Sequence, residues 1–292
     1  MIHRNAATQE ELDAQYNLRA IIPEAATSYE EFCERESEGL RAELRHRLDV
    51  PFGPTLAEHV DVYPAPGEAS GGRGAPVLVY VHGGFWVLRT SKEFGFVARG
   101  PASSGVATVV TNYALAPAAK IGEMVRQTRA AVAWAYRNAG SFGGDPERLH
   151  AVGHSAGGHL VATLLMTDWE GEYGLPKGII KSATAVSGLY DLSPFPYTFL
   201  QPKLGLTAEE VLEYSPILHL PDEAPPLLLP YGEKETDGFK GQSEDFLAAW
   251  KDAGLDGALL PIPGKDHFDI LDGFLDAGSP LLSPILERIG VR

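Results

Sequence analysis

Few folds accommodate a chain that runs apolar for several residues and then turns at once into a helical pattern around a serine. Leu149-His150-Ala151-Val152-Gly153-His154-Ser155-Ala156-Gly157-Gly158-His159-Leu160 does this. The apex residue of a tight strand-to-helix turn is pushed out of the backbone into a cleft. The turn crowds the adjacent Cα positions, so the flanking residues must be small, and Gly153 and Gly157 meet that need. A serine so placed attacks an acyl carbon when a histidine takes its proton and an acid orients the histidine. Ser155 is therefore the candidate nucleophile. Small residues around a serine also occur in ordinary loops, so the assignment depends on what the rest of the chain supplies.

Upstream, Pro76-Val77-Leu78-Val79-Tyr80-Val81 is a continuous apolar run of the kind found in a strand buried on both faces of a parallel sheet. It ends in His82-Gly83-Gly84-Phe85-Trp86. Glycines at the carboxyl end of such a strand let backbone N–H groups turn into the crevice. Gly84 and Ala156, with Gly83 beside them, are the candidate donors to the oxyanion of a tetrahedral intermediate. His82 reads as a residue that holds the loop through a hydrogen bond.

Downstream, Pro226-Leu227-Leu228-Leu229-Pro230-Tyr231 and Leu259-Leu260-Pro261-Ile262 read as two more strands. The first leads into a loop carrying Glu233, Glu235 and Asp237, and the second into Asp266-His267-Phe268. The order serine, acid, histidine, each at the carboxyl end of a strand, matches where open α/β sheets place catalysis. His267 is the candidate general base, and the spacing alone leaves three candidates for the acid.

Further strands are expected near 60–63, 106–112 and 181–187, and helices near 91–101, 119–139, 156–167, 207–214, 240–253 and 268–289. The alternation implies an α/β class chain with a mostly parallel central sheet and helices on both faces. Residues 9–47 are charged and helix-prone, with Ser28-x-x-Glu31 as a capping box before a Phe32, Leu40, Leu44, Leu48 stripe. Residues 1–50 thus form a small helical cap and 51–292 one compact catalytic domain. The cap either packs on the sheet edge or lays Tyr16 to Arg19 over the site. Pro64 to Gly74 reads as a polar, glycine-rich turn, and Asp145-Pro146 as turn chemistry before a strand.

Several constellations carry no chemistry. His150, His154 and His159 straddle a strand, a turn and a helix, so their rings diverge, and no zinc ligand set is completed; no metal is expected. Gly153-x-x-x-Gly157-Gly158 lacks the lysine of a phosphate loop, and Gly71-Gly72-x-Gly74 precedes a strand instead of following one. Acyl transfer by such a triad requires no cofactor. The 292 residues are 44% hydrophobic, enough for a large core, and the formal net charge of −15 turns away nucleic acid and anionic membranes. The expected partner is a small-molecule ester or amide, with a homodimer as the one protein partner left open. The single cysteine, Cys33, reads as incidental and fits a reducing cytoplasm. Met1-Ile2-His3-Arg4-Asn5 lacks the apolar core of a signal peptide, and no run reaches membrane-spanning length.

The chain resembles the α/β-hydrolase superfamily, and within it the kynurenine formamidase (arylformamidase)-like branch. The resemblance covers nearly the whole chain. It is carried by Tyr16-Asn17-x-Arg19, His82-Gly83-Gly84-Phe85-Trp86, Asn112-Tyr113-x-Leu115-Ala116-Pro117, Gly143-Gly144-Asp145-Pro146-x-Arg148, the Ser155 segment, Ser187-Gly188-Leu189-Tyr190-Asp191-Leu192 and the acid-Thr236-x-x-Phe239-x-x-Gln242-Ser243 run. In that branch the catalytic acid precedes a small hydroxyl residue and stands four before the phenylalanine, which selects Glu235. Aspartate is the commoner residue there. Phe85 stands where esterases resembling hormone-sensitive lipase carry a third glycine, and Ala114 stands where a charged residue is usual. The resemblance implies hydrolysis of an aryl formamide, with carboxylesterase or aryl-amidase activity as the alternative. Relatives that have lost catalytic groups and act as ligand receptors form a contrasting class, but here serine, histidine and acid are all present. Phe85, Trp86, His154 and Tyr190 are the candidate substrate contacts, with Phe195 to Phe199 as an opposite wall.

Overall fold

The computed structural model describes residues 6–67 and 74–291. Residues Met1 to Asn5 and most of the polar turn after Pro64, including Gly71-Gly72, lie outside the described residues. Eight strands form one sheet: β1 (Arg47–Pro51), β2 (His59–Tyr63), β3 (Ala75–Val81), β4 (Ala107–Thr111), β5 (Gly144–His154), β6 (Ile180–Val186), β7 (Leu227–Gly232) and β8 (Gly257–Ile262). Their spatial order is β1-β2-β4-β3-β5-β6-β7-β8. The pairs β1–β2 and β2–β4 are antiparallel, and every other pair is parallel.

The all-apolar β3 is buried on both faces because successive side chains alternate sides. Val77, Val79 and Val81 join one core, shared with the helices Ile121–Asn138, Ala156–Leu164 and Asp237–Asp252. Leu78 and Tyr80 join the other, shared with the helix Pro23–Glu43 and the carboxyl-terminal helix Leu282–Ile289. The sheet is therefore sandwiched between two helical layers.

Several local expectations are corrected. The helix Pro23–Glu43 starts five residues before the proposed Ser28 cap. Proline at the first helical position loses nothing there, since its missing N–H would be unpaired anyway. Ala26, Tyr29, Cys33, Ser37 and Leu40 form its buried stripe. Cys33 is thus a core residue, and burial pushes its thiol up to about 12, which makes it inert. The strand β1 went unforeseen because its alternating charged residues at an exposed sheet edge produce no apolar run. The boundary drawn at residue 50 falls inside it. β5 begins at Gly144, so Asp145-Pro146 belongs to the strand, and the turn falls on Gly143 in left-handed conformation. The long terminal helix breaks into a 3-10 segment, Asp269–Leu275, and the helix Leu282–Ile289.

Candidate active site

Three strand ends on the carboxyl side of the sheet converge. Between β5 and the helix Ala156–Leu164, Ser155 adopts φ 56° and ψ −120°, and its own N–H donates to the Val186 carbonyl at 2.8 Å. A non-glycine residue held there stores backbone strain that the surroundings must enforce. The enforcement is steric: a Cβ on Gly157 would lie 2.0 Å from the Val81 oxygen, and one on Gly153 would lie 2.2 Å from the Gly157 oxygen. Helix, elbow and β3 approach each other at distances only glycine permits.

From the end of β7 comes Glu235, and from the end of β8 comes His267. The His267 Nδ1–H donates to Glu235 Oε2 at 3.0 Å, and both side chains are almost fully buried. The other carboxylate oxygen accepts from the Gly232 N–H at 2.8 Å and from the Ser187 hydroxyl at 2.5 Å. Asp237 points into solvent and pairs with Lys240, and Glu233 is likewise exposed. In the sequence Ser187 stands out only within its motif; the signal for its part in orienting the acid is a hydroxyl at the end of a neighbouring strand.

His154 sits beside this pair. Its Nε2–H donates to the His267 carbonyl at 2.9 Å, and the two rings are 4.6 Å apart. Burial, reinforced by the neighbouring His267, holds the His154 imidazole well below its ordinary pKa, so it stays neutral. The N–H groups of Gly83, Gly84 and Ala156 have no acceptor among the described residues. A Cβ on Gly83 would stand 3.1 Å from Ser155 Cβ, which puts the glycine loop directly against the nucleophile. His82 braces that loop. Its Nδ1–H donates to the Gly83 carbonyl at 2.7 Å, its ring stacks on Tyr113 at 4.4 Å, and burial lowers its pKa to about 4. Tyr113 in turn donates to the His82 carbonyl at 2.8 Å.

Ser155, His267, His154, Gly83, Gly84 and Phe85 all line one cavity of about 50 Å³. Trp86 and Tyr190 do not line it. Trp86 is fully buried, donates Nε1–H to His159 Nδ1 at 3.2 Å and packs edge-on against Phe195. Tyr190 is fully buried, stacks on Phe246 at 4.2 Å and donates to the Ala185 carbonyl. Both support the site from behind, because their polar atoms found partners inside the core. Phe195 is buried as well and Tyr197 is exposed, so that segment does not form the opposite wall. The wall comes instead from Leu18, Arg19, Ala26, Tyr29 and Glu30 of the amino-terminal helices, with Leu88, Arg89, Phe94 and Phe268. The sequence pattern of these helices carried no sign of this beyond Tyr16 to Arg19.

The remaining histidines diverge as expected: His150 Nδ1 meets Ser182 Oγ, and His159 donates Nε2–H to the Tyr214 carbonyl. Among the described residues Asp49, His59 and Asp61 do have metal-ligand spacing, but they sit on β1 and β2, where Lys92 Nζ lies 2.8 Å from Asp49 and 2.5 Å from Asp61. The ammonium already supplies the positive charge. Among the described residues no helix is long and apolar enough to cross a membrane.

The family model described as BD-FAE matches residues 60–249. The kynurenine formamidase of Salmo salar is 33% identical over 276 residues, 92% of this chain and 90% of that protein. Esterase LipQ of Mycobacterium tuberculosis is 30% identical over 76% of this chain and 57% of its own length. A solved structure from Silicibacter sp. tm1040, provisionally named a thioesterase, superposes with a TM-score of 0.80 at 28% identity, covering 94% of this chain and 99% of that one.

Proposed function

The chain belongs to the BD-FAE family, and from that footing we propose that it cleaves the C–N bond between a formyl group and an aromatic amine. It is a hydrolase of the α/β-hydrolase type. Ser155, His267 and Glu235 act as nucleophile, base and orienting acid. The Ser155 hydroxyl proton passes to His267 Nε2 as Oγ attacks the formyl carbon. The oxyanion takes up the unpaired N–H groups of Gly84 and Ala156, flanked by Gly83. His267 then protonates the amine nitrogen, the C–N bond breaks, and the aromatic amine departs. Water, deprotonated by His267, attacks the formyl-serine and releases formate as the proton returns to Oγ. Glu235 orients His267 and stabilises the imidazolium. Each oxyanion donor contributes roughly a hundredfold or more in rate.

The observation that carries this reading is the buried His267–Glu235 pair at 3.0 Å, with His267 lining the same small cavity as Ser155. About 50 Å³ beside a glycine loop suits a small acyl group, and Tyr29, Phe85 and Phe268 supply apolar walls for an aromatic leaving group. The relative named kynurenine formamidase, aligned over most of both chains, supports the formamide. Carboxylesterase activity is the second reading, favoured by the likeness to an esterase.

Turnover of an aryl formamide, an anilide and a short-chain aryl ester on one preparation separates the readings. The expected order puts the formamide first; a formamide hydrolysed no better than the ester overturns the assignment. We further propose a cytoplasmic location, a reading supported by the single buried cysteine without a sulfur partner. Its partner is a small acyl compound, the formal charge of −15 opposing nucleic acid and anionic membrane alike.

A further inference from the structure

The acyl-transfer steps use the imidazole of His267 and leave idle the one that precedes the nucleophile. His154 is 3% exposed, and its Nε2 lies 2.9 Å from the His267 carbonyl oxygen. A carbonyl can only accept, so Nε2 carries the proton and Nδ1 is left with a lone pair. Burial keeps the ring neutral, which preserves that lone pair. No donor among the described residues takes it up. Nδ1 stands against the oxyanion loop: a Cβ on Gly83 would lie 3.2 Å from it and 3.1 Å from Ser155 Cβ. His154, Gly83, Ser155 and His267 all line the same cavity. A hydrogen-bond acceptor of fixed tautomer thus borders the place where the tetrahedral intermediate forms.

Amides and esters differ at that place by one hydrogen. When the C–N bond breaks, the nitrogen lone pair points at His267, which delivers the proton. The hydrogen already on nitrogen is then turned away from the base. In a site from which water is excluded it goes unpaired unless the protein accepts it, and an unpaired buried donor is costly. An ester oxygen carries no such hydrogen. We propose that His154 Nδ1 accepts the N–H of the scissile amide as the C–N bond breaks, which makes His154 the residue that favours amides over esters. His154 exchanges no proton with the substrate; His267 remains both base and acid. The inference rests on the Ser155 hydrolase reaction proposed above and concerns the atom that leaves.

The test compares formanilide with phenyl formate, which share acyl group and ring, in the wild type, His154→Gln and His154→Asn, with spontaneous hydrolysis subtracted. Glutamine reaches the Nε2 position and keeps a donor for the His267 carbonyl while removing the acceptor. Asparagine places an amide at the Nδ1 position and gives up that donor. In His154→Gln the ratio of kcat/KM for formanilide over phenyl formate is expected to fall about tenfold, through kcat and not KM. His154→Asn is expected to slow both substrates while holding the ratio within about twofold of the wild type. Both substrates falling alike in His154→Gln, with the ratio unchanged, overturns the proposal and leaves His154 as a positioning residue for His267. Phenyl formate cleaved faster than formanilide by the wild type, with the ratio still falling in His154→Gln, would sink the formamidase reading and leave the acceptor standing.

Discussion

Glu235 shares one short loop with Glu233 and Asp237, and burial separates them. Glu235 is 4% exposed and accepts from His267, Ser187 and Gly232, whereas the Asp237 side chain is 92% exposed. Neutralising a buried acid that orients an imidazole removes the preferred tautomer; the comparable change in a serine protease costs about 10⁴ in kcat. Glu235→Gln is therefore expected to lower kcat by about 10³ or more, and Asp237→Asn by less than about twofold, since a screened surface pair contributes little. Steady-state kinetics on both variants decides, and the reverse ranking would move the acid. Ser155→Ala should abolish turnover with the circular dichroism spectrum unchanged. The nucleophile and base were legible in sequence because strand ends and glycines announce them. The acid was not legible from spacing alone. Nothing local distinguishes three carboxylates until a neighbouring strand brings Ser187 beside one of them.

At the scale of elements, the helix Gln9–Tyr16 does more than cover the sheet. The Gln15 carbonyl accepts from the Thr236 hydroxyl at 2.6 Å, and the Gln15 side-chain oxygen accepts from the Gly238 N–H at 2.9 Å. Tyr16 packs against Phe239 and Phe195. The first helix thereby clamps Thr236, the residue that follows Glu235, and Gly238 in the first turn of the helix Asp237–Asp252. Removing residues 1–17 should lower kcat at least about tenfold, since small displacements of a catalytic group are costly, while the far-ultraviolet spectrum stays helical and sheet-rich. Full activity in the truncated chain would show that the clamp is dispensable. The sequence marked this region as charged and helical but left its two placements open. Contacts between residues 15 and 238 have no local signature. Similarly, the break after Leu275 was hidden, because the apolar residues on either side of it keep a helical rhythm while the chain turns at Gly278 and Pro280.

The whole molecule hides most of its imidazoles. His82 and His159 are fully buried and His150 nearly so, and burial lowers each to about 4 from the ordinary 6.5. The unfolded chain therefore binds more protons than the folded one between these values. Stability is complete above pH 6.5 and declines as the pH falls towards 4. A shift of this size corresponds to roughly 3 kcal/mol per buried histidine as an upper figure. Urea melts at pH 7.5 and 5 should show the midpoint falling at the lower pH; an unchanged midpoint would mean these rings titrate freely. The two-layer architecture itself was readable because β3 to β8 are apolar runs between amphipathic helices, and the edge strand β1 was the exception.

The void beside Ser155, about 50 Å³, is far smaller than any aromatic amide, for which enclosing sites usually measure roughly 300 Å³ or more. Leu18, Arg19 and Glu30 narrow it from the amino-terminal side, so a substrate of that size needs them to give way. The short helix Leu18–Ile21 is flanked by Asn17 and Ile22, both outside helical geometry, and these are natural pivots. Entry and release are therefore expected to depend on residues 18–30, and the tempo of the cycle on that doorway as well as on the bond being broken.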